Sequence, residues 1–301
     1  MRPAFDENHS EIGPTGPARA TQSLGGAAPG AAQAGAGLWA SSGEVLSFDG
    51  LSVACGGVRI LEDVSFSVGP GRVTGLVGES GSGKTTLLKA AMGLLDDGMR
   101  VSAGRVLYQG EDVGSMPAAR LRELRGKEMA TVFQDSAASF CPVRRVGVQV
   151  WEAVRAHVAM SRREYDALFC DTLASLGIHD PARVARSYPH ELSGGMAQRV
   201  GIAVALMLKP RLLLADEPTS ALDVTTQVQV VDALREAHNR LGCAILLVTH
   251  NFRLVEALCD EAVVLRRGRV VEQGPVREVL SCPASDYTRS LVAAAPRLRR
   301  R

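Results

Sequence analysis

The sequence has few of the features that mark membrane-spanning or nucleic-acid-binding proteins. Aromatic residues make up only 4% of the 301 residues, and no continuous apolar run reaches the roughly 18 residues that a transmembrane helix needs. The 34 basic and 32 acidic residues nearly balance, which gives no support to a nucleic-acid-binding surface. Any role at a membrane would therefore depend on partner chains.

The cysteines are too scattered to indicate a metal site or a disulfide framework. None lies in a CxxC pair or at metal-ligand spacing. The six are Cys55, Cys141, Cys170, Cys243, Cys259 and Cys282. Cysteines of this kind are mostly small buried side chains in a reducing compartment, so we predict a cytoplasmic protein.

The two ends of the chain differ in composition from the middle. Half of residues 1–44 are Gly, Ala or Pro and show no apolar periodicity, which predicts a disordered tail. The tail lacks the basic start and apolar core of a secretory signal. Four of the last five residues are arginine, and a solvated end is favoured there over contact with anionic lipid.

Four short apolar runs between these ends each finish at a residue that could take part in binding or catalysis. They are RVTGLVG ending at Gly78, EMATVFQ ending at Gln134, RLLLADE ending at Glu217 and AILLVTH ending at His250. Such runs predict strands of a parallel sheet buried on both faces. Because ligands bind beyond the carboxyl ends of these strands, we expect the four ends to converge on one crevice. Helical patterns from about 136 to 186 predict a helical lobe.

The first run continues into GESGSGKTT, which matches G-x-x-x-x-G-K-[ST] between a strand and the helical TLLKAAMGLL. Glycines in such a loop let backbone N–H groups wrap a phosphate chain. Lys84 would neutralise the outer phosphates, and the Thr85 hydroxyl would bind Mg²⁺. The predicted nucleotide-binding residues of the loop are Gly78, Glu79, Ser80, Gly81, Ser82, Gly83, Lys84, Thr85 and Thr86.

Two adjacent carboxylates end the third run. They would repel each other, and the pair makes sense if Asp216 faces the metal while Glu217 accepts a proton from the attacking water. Gln134 and His250 are weaker candidates alone, because a lone polar residue at a strand end is more often hydrogen-bonded structure. Their placement at the same sheet edge makes both candidate catalytic residues.

A second glycine-rich helix start lies more than a hundred residues further on, in YPHELSGGMAQRV. Ser193 reads as an ordinary N-cap. Gly194 and Gly195 each cost roughly 1 kcal/mol relative to alanine in a helix, which predicts a close approach to the backbone. A helix start without side chains suits an anion. Because the chain already has one phosphate loop, this second site could bind a phosphate held by another chain.

These motifs together resemble the ATP-binding subunit of ABC transporters over most of the chain. The quoted segments are the P-loop, Gln134, LSGGMAQ at 192–198, Asp216 with Glu217, SALD at 220–223 and Thr249 with His250. The resemblance implies an α/β P-loop NTPase fold with a mostly parallel core sheet and a small antiparallel sheet from 46–72 and 104–110. It also implies a cassette over 45–281, a helical subdomain at about 136–200 and a short extension over 282–301.

The resemblance also implies that two cassettes pair head to tail. The signature loop of one, with Ser193, Gly194 and Gly195, would close on ATP and Mg²⁺ held by the other. Asp223 of the SALD motif would add a nucleotide contact, and Gln134 a metal contact. The implied partners are permease subunits, a second ATPase, identical or different, and indirectly an extracytoplasmic binding protein, without nucleic acid. The implied location is peripheral, on the cytoplasmic face of the inner membrane.

Several segments are similar to the oligopeptide and dipeptide importer group, which includes nickel importers. The closing SDYTRSLVAAAPR is the most specific of them. Peptide, nickel and glutathione-like cargoes all stay open.

The chain departs from that group at four places. DSAASFCP follows Gln134 in place of the usual Asp-Pro-Met-Thr-Ser-Leu-Asn-Pro, so coupling or partner identity is open. Cys55 lies where an aromatic usually stacks on adenine, and Asn251 replaces a common Asp. A cysteine-rich extension is lacking, so we predict no iron-sulfur cluster.

Two other classes share part of this chemistry. A soluble ABC-class ATPase not coupled to transport would show two cassettes in one chain or a long coiled-coil insertion. A P-loop kinase would explain the phosphate loop but not LSGGM, SALD and a strand-end His. Co-purification with membrane subunits and dependence of turnover on dimerisation would separate these alternatives.

Overall fold

The computed structural model describes residues 43–220 and 222–294. The predicted tail 1–44, apart from its last two residues, and the arginine-rich end lie outside this part of the chain. Within it, no helix is both long enough and apolar enough to cross a membrane.

A six-stranded sheet forms the centre of the fold, and it confirms the predicted mostly parallel core. The strand order is β10-β9-β3-β8-β7-β6. Its strands are β3 (Val73–Val77), β6 (Met129–Val132), β7 (Leu212–Asp216), β8 (Ala244–Thr249), β9 (Glu261–Arg266) and β10 (Arg269–Pro275). Five are parallel, and only β10 runs antiparallel at the edge. The four predicted apolar runs are β3, β6, β7 and β8.

The hairpin of β9 and β10 is missing from the sequence-based prediction. Its turn places Arg267 at φ 46° and Gly268 at φ 78°, and β10 has no fully buried residue. Strand β10 lacks the continuous apolar run that marks β3, β6, β7 and β8, whereas β9 has such a run at 262–265, which the prediction overlooked.

A four-stranded antiparallel sheet packs beside the core, as expected. Its order is β2-β1-β4-β5, with β1 (Leu46–Cys55), β2 (Val58–Val68), β4 (Met99–Tyr108) and β5 (Glu111–Asp112). The predicted start of the second range at 104 is wrong, because β4 begins at Met99. Gly104 interrupts this strand at φ 69°, where a Cβ would lie 2.2 Å from the Gly50 carbonyl oxygen. Because of that irregularity, the first half of β4 does not show a regular strand pattern in the sequence and was not predicted.

The helical lobe contains α3 (Val146–Arg155), α4 (Arg162–Ser175), α5 (Pro181–Arg186) and α6 (Gly194–Leu206). A capping box of Ser161 and Glu164 starts α4. The fully buried Tyr165 and Phe169 then stack at 5.6 Å between ring centroids. Because α6 contacts both α4 and β6, the lobe is tied directly to the edge of the core sheet.

Six further α-helices lie in the described part of the chain. They are α1 (Lys84–Ala91), α2 (Ala118–Glu123), α7 (Val224–Leu241), α8 (Phe252–Leu258), α9 (Val276–Ser281) and α10 (Asp286–Ala294). The carboxyl ends of β3, β6, β7 and β8 share one sheet edge, and α1 begins directly beyond β3. This edge is where a parallel sheet offers a ligand site.

Candidate functional site

The loop between β3 and α1 leaves backbone donors free at a helix start. Gly83 is the N-cap of α1 at φ 107°, and no side chain caps the helix. A Cβ on Gly83 would lie 2.6 Å from Leu61 Cδ2, and one on Gly78 would lie 2.2 Å from the Leu265 carbonyl oxygen. Glycine is therefore required at both positions, and the first-turn N–H groups of α1 remain available to an anion.

Lys84 folds back over this loop and is 8% exposed. Its Nζ donates to the carbonyl oxygens of Gly78 and Glu79, at 2.8 Å each. Burial lowers the pKa of Lys84, while the carboxylates of Glu217 and Asp216 oppose that shift. The ammonium group is thus held, largely dehydrated, beside the loop that would wrap a phosphate chain.

Asp216 ends β7 and points toward the first turn of α1. The Thr85 hydroxyl donates to Asp216 Oδ2 at 3.4 Å. Burial, and then the neighbouring Glu217, raise the pKa of the Asp216 carboxyl above its ordinary value, with Thr85 and Lys84 opposing. A cation bound between the Asp216 carboxylate and the Thr85 hydroxyl would stabilise the charged form of this carboxyl.

Glu217 turns away from Asp216 because its backbone is in the left-handed region, at φ 45°. Its N–H still donates to the Val248 carbonyl oxygen at 2.9 Å. Glu217 Oε1 lies 2.8 Å from His250 Nδ1 in a hydrogen bond, with the glutamate side chain 14% exposed and the histidine 65%. A non-glycine residue with positive φ is uncommon, and here it directs two adjacent carboxylates toward different partners.

These groups line one open cavity of about 530 Å³. Its walls combine the phosphate loop with the ends of three other core strands and one residue of β2. The lining residues are Ile60, Ser80, Gly81, Gly83, Lys84, Thr85, Thr86, Gln134, Asp216, Glu217 and His250. The strand ends predicted to converge therefore do so.

The signature residues start α6 and are absent from the lining of that cavity. The Ser193 hydroxyl accepts from the Met196 N–H at 3.3 Å as an N-cap. Ser193 and Gly194 are exposed, whereas Gly195 is buried. The second anion-type helix start is thus exposed and does not line the cavity formed around the phosphate loop of its own chain.

The two signature glycines have different structural requirements. A Cβ on Gly195 would lie 2.2 Å from Thr226 Cγ2, so packing against α7 within the same chain already requires glycine there. At Gly194 the nearest atom is Leu222 Cδ2 at 3.7 Å, which is ordinary contact. The packing of Thr226 thus gives a reason within the chain for glycine at position 195, and the predicted contact of Gly195 with an anion stays a prediction.

Asp223 caps α7 and also lies outside the cavity lining. Its carboxylate accepts from the Thr226 N–H at 3.0 Å and from the Thr226 hydroxyl at 2.7 Å. These hydrogen bonds hold the pKa of Asp223 below its usual range. Through Thr226, Asp223 fixes the α7 surface on which Gly195 packs.

Two residues connect to the site without having been predicted as part of it. Gln198, 3% exposed on α6, donates to the Phe133 carbonyl oxygen at 3.1 Å and accepts from the Ser136 N–H at 3.4 Å. It ties the signature helix to the loop that carries Gln134. Tyr287 on α10 contacts the phosphate loop itself. Both belong to quoted motifs, LSGGMAQ and SDYTRS, but spacing alone gives neither contact.

Comparison with known proteins identifies the family. The family model described as ABC transporter matches residues 61–220. The dipeptide transport ATP-binding protein DppD of Escherichia coli (strain K12) is 40% identical over 256 residues, which cover 84% of this chain and 78% of that protein.

Solved structures agree with this match. CbiO1 from Clostridium perfringens, part of the ABC transporter complex cbiONQ, has a TM-score of 0.68 at 28% identity, covering 79% of this chain and 91% of that one. A dimeric ATP-binding cassette in a post-hydrolysis state, bound to ADP and Pi, also has a TM-score of 0.68, at 25% identity and with 77% and 99% coverage. With the phosphate loop, the acid pair and the exposed start of the signature helix in place, the chain belongs to the ABC transporter family as an ATP-hydrolysing cassette.

Proposed function

We propose that this cassette drives uptake of a peptide-like or nickel-type solute through permease subunits, working as one half of a cassette pair on the cytoplasmic face of the inner membrane. One observation supports the pairing above all. The chain has a complete set of phosphate and acid groups in one cavity, while its signature helix start is exposed elsewhere.

In the proposed mechanism the loop 78–86 binds the phosphate chain of ATP through backbone N–H groups. Lys84 moves its ammonium from the loop carbonyls toward the outer phosphates, where its charge is stabilised. Glu217 accepts a proton from the attacking water. His250 keeps the glutamate aimed through the 2.8 Å hydrogen bond, so it acts as a positioning residue for the base.

The residues at one end of the cavity fit a magnesium ion. All the donors are oxygens, from the Thr85 hydroxyl, the Asp216 carboxylate and the Gln134 side-chain carbonyl, and two of them already lie 3.4 Å apart. Mg²⁺ prefers oxygen ligands and is commonly bound by one or two protein groups together with phosphates. When bound, the ion would neutralise phosphate charge and would stabilise the charged form of the Asp216 carboxyl, which burial and Glu217 disfavour.

The partner's signature would complete each site. Ser193 and the free N–H groups beside Gly194 form an exposed helix start suited to a phosphate, and Gly194 has room for one to approach. Asp223 and Gly195 would support this surface from behind through Thr226. Hydrolysis would then require two cassettes, either two copies of this chain or this chain with a different ATPase.

A groove beside Gln134 suits a permease segment. Its cavity of about 440 Å³ lies between the loop after β6 and helices α3 and α6, with Phe133 and Phe140 on one wall. Phe133 is 49% exposed, and Val143 nearby is 79% exposed. Apolar groups this exposed at a groove are typical of interaction sites. Movement at Gln134 would reach the groove directly, because Phe133 is its neighbour in the chain.

The test is co-expression of this chain with permease subunits of the peptide-importer type, followed by co-purification in detergent. Phe133→Asp should lose the permease and retain nucleotide binding, since Phe133 lines the groove and is absent from the lining of the nucleotide cavity. The matched control is Val101→Asp on β4, 43% exposed, which should retain both. Equal retention by the two variants would contradict permease docking at this groove.

The cargo class rests on the similarity to DppD and on the closing SDYTRS segment. Vesicles reconstituted with the complex and its binding protein would be loaded with ATP and given labelled dipeptide or ⁶³Ni²⁺. We expect ATP-dependent accumulation of one of them. Stimulated hydrolysis without accumulation of either would contradict the proposed cargo.

A further inference from the structure

The C-terminal helix α10 contacts the phosphate loop, although the two are far apart in the sequence. The Glu79 N–H, within the loop, donates to the Tyr287 hydroxyl at 3.3 Å. Tyr287 lies in the SDYTRS segment, to which the mechanism above assigns no role. We propose that Tyr287 is a positioning residue that holds the phosphate loop ready for nucleotide, an inference that rests on the nucleotide-binding function proposed above.

The peptide unit between Gly78 and Glu79 is held from both of its sides. Its carbonyl oxygen, on Gly78, accepts from Lys84 Nζ at 2.8 Å. Its N–H, on Glu79, donates to Tyr287. Rotation of this peptide plane would break both hydrogen bonds, so the tyrosine hydroxyl helps to fix the plane that orients the lysine. Hydrogen bonds at the two ends of one peptide also polarise each other.

Tyr287 is itself rigidly placed. It is 7% exposed and packs in an apolar cluster with Val77, the last residue of β3, and Val264 of β9. The Arg266 guanidinium lies over its ring, 4.5 Å from the ring centroid. A side chain packed in this way can transmit the position of its helix to the loop, since the ring has little freedom to move.

The start of α10 is fixed to the core sheet as well. The Glu272 carboxylate on β10 accepts from the N–H groups of Ala284 at 2.8 Å and Ser285 at 3.0 Å. The Ser285 hydroxyl in turn accepts from the Tyr287 N–H at 3.2 Å. A continuous series of contacts therefore runs from the edge strand, through α10, to the phosphate loop. The β9–β10 hairpin and the C-terminal extension that contains α10 thus support the phosphate loop.

The expected effect follows from population arithmetic. A typical net hydrogen bond changes an equilibrium constant by roughly 2- to 12-fold. If the peptide between Gly78 and Glu79 can rotate, only a fraction of the molecules has the loop conformation that binds nucleotide. The apparent affinity for nucleotide is then multiplied by that fraction. We expect Tyr287→Phe, which keeps the ring and its packing, to raise the Kd for Mg-ADP about 3- to 10-fold.

Tyr165→Phe is the matched control in the full-length chain. The Tyr165 hydroxyl is also buried and also bonds the backbone, donating to the Gly147 carbonyl oxygen at 2.7 Å, but in the helical lobe. Both variants should lower Tm, whereas only Tyr287→Phe should raise the Kd measured by calorimetry. Amide exchange in the loop peptide that contains Glu79 should quicken only in Tyr287→Phe. In turnover, KM for ATP should rise with little change in kcat.

An unchanged Kd in Tyr287→Phe would overturn the inference, whether or not exchange at Glu79 quickens. A raised Kd with unchanged exchange would also overturn it, because the effect would not run through the loop peptide. Arg266→Ala, which uncovers the ring, gives a second variant with a smaller shift in the same direction. Wild-type chain that fails to bind Mg-ADP would contradict the proposed function itself. Binding that Lys84→Ala removes and Tyr287→Phe leaves intact would overturn only this inference.

Discussion

Glu217→Gln separates nucleotide binding from hydrolysis in this cassette. The substitution keeps the shape of the side chain, and the amide oxygen can still lie near His250 Nδ1, which is 2.8 Å from Glu217 Oε1 in the native chain. What is lost is the basic carboxylate. General bases contribute about 10² to 10⁴-fold, so the barrier to hydrolysis should rise by about 2.7 to 5.4 kcal/mol.

Binding should survive this change, because Lys84, Thr85 and Asp216 are untouched. With hydrolysis blocked, ATP should persist between two cassettes and stabilise the pair by mass action. The assays are phosphate release and size-exclusion chromatography with and without Mg-ATP, together with the partner ATPase if one is required. The mutant should elute as a dimer in ATP while releasing little phosphate.

A matched control is Glu256→Gln, at an exposed glutamate on α8 outside the cavity lining. It should hydrolyse ATP at the native rate. A double-mutant cycle adds the role of the histidine: His250→Ala should slow hydrolysis in the native background and add little in Glu217→Gln, if the histidine works through the glutamate. A Glu217→Gln rate within about threefold of native, far inside the range that a lost base costs, would refute the assignment of the base.

Three further outcomes are expected. Lys84→Ala removes a charged contact to phosphate and should raise the Kd for ATP at least about tenfold, measured by calorimetry. Gly195→Ala should lower the free energy of unfolding by about 1 to 3 kcal/mol through the clash with Thr226. Adding Thr226→Ser to Gly195→Ala should restore part of the lost stability, because the clashing methyl group is removed. Gly194→Ala should not cause the same loss, and thermal unfolding measures all three variants. Asp216→Asn should abolish hydrolysis yet raise Tm at neutral pH, because the folded-state pKa of Asp216 is raised. The gain should shrink as the pH falls toward the unfolded pKa of Asp, and an unchanged Tm would contradict the burial argument.

The parts of this site that the sequence predicts are the contiguous ones. A phosphate loop is encoded by nine adjacent residues, and the buried parallel strands appear as continuous apolar runs. The convergence of Gln134, Asp216, Glu217 and His250 then follows from the geometry of any parallel sheet. No knowledge of long-range packing is needed for these steps.

The parts that the sequence hides depend on contacts between distant segments. Nothing in the local sequence shows that Thr226 occupies the space beside Gly195, so this packing requirement could not be predicted. Tyr287 and Glu79 are 208 positions apart, and their hydrogen bond follows from how α10 packs on β9. The start of β4 is hidden for a different reason, because its pairing with β1 is irregular where Gly104 lies beside Gly50.

The central claim is that each ATP site is built from two chains, and complementation of dead variants tests it most directly. Lys84→Ala disables the phosphate loop, and Ser193→Arg blocks the exposed signature. Ser193→Ala, which removes only the N-cap, controls for the loss of about 1 kcal/mol of helix stability. In a one-to-one mixture of the two dead chains, each mixed dimer contains one intact site.

Phosphate release by the mixture, compared with each dead chain alone and with the native chain at equal concentration, is the decisive measurement. If signature and phosphate loop act across the pair, random mixing should restore about a quarter of the native sites and a corresponding rate. If the signature serves the phosphate loop of its own chain, the mixture should stay as inactive as its two components. If the native chain hydrolyses ATP without a second kind of ATPase, that result would contradict the account.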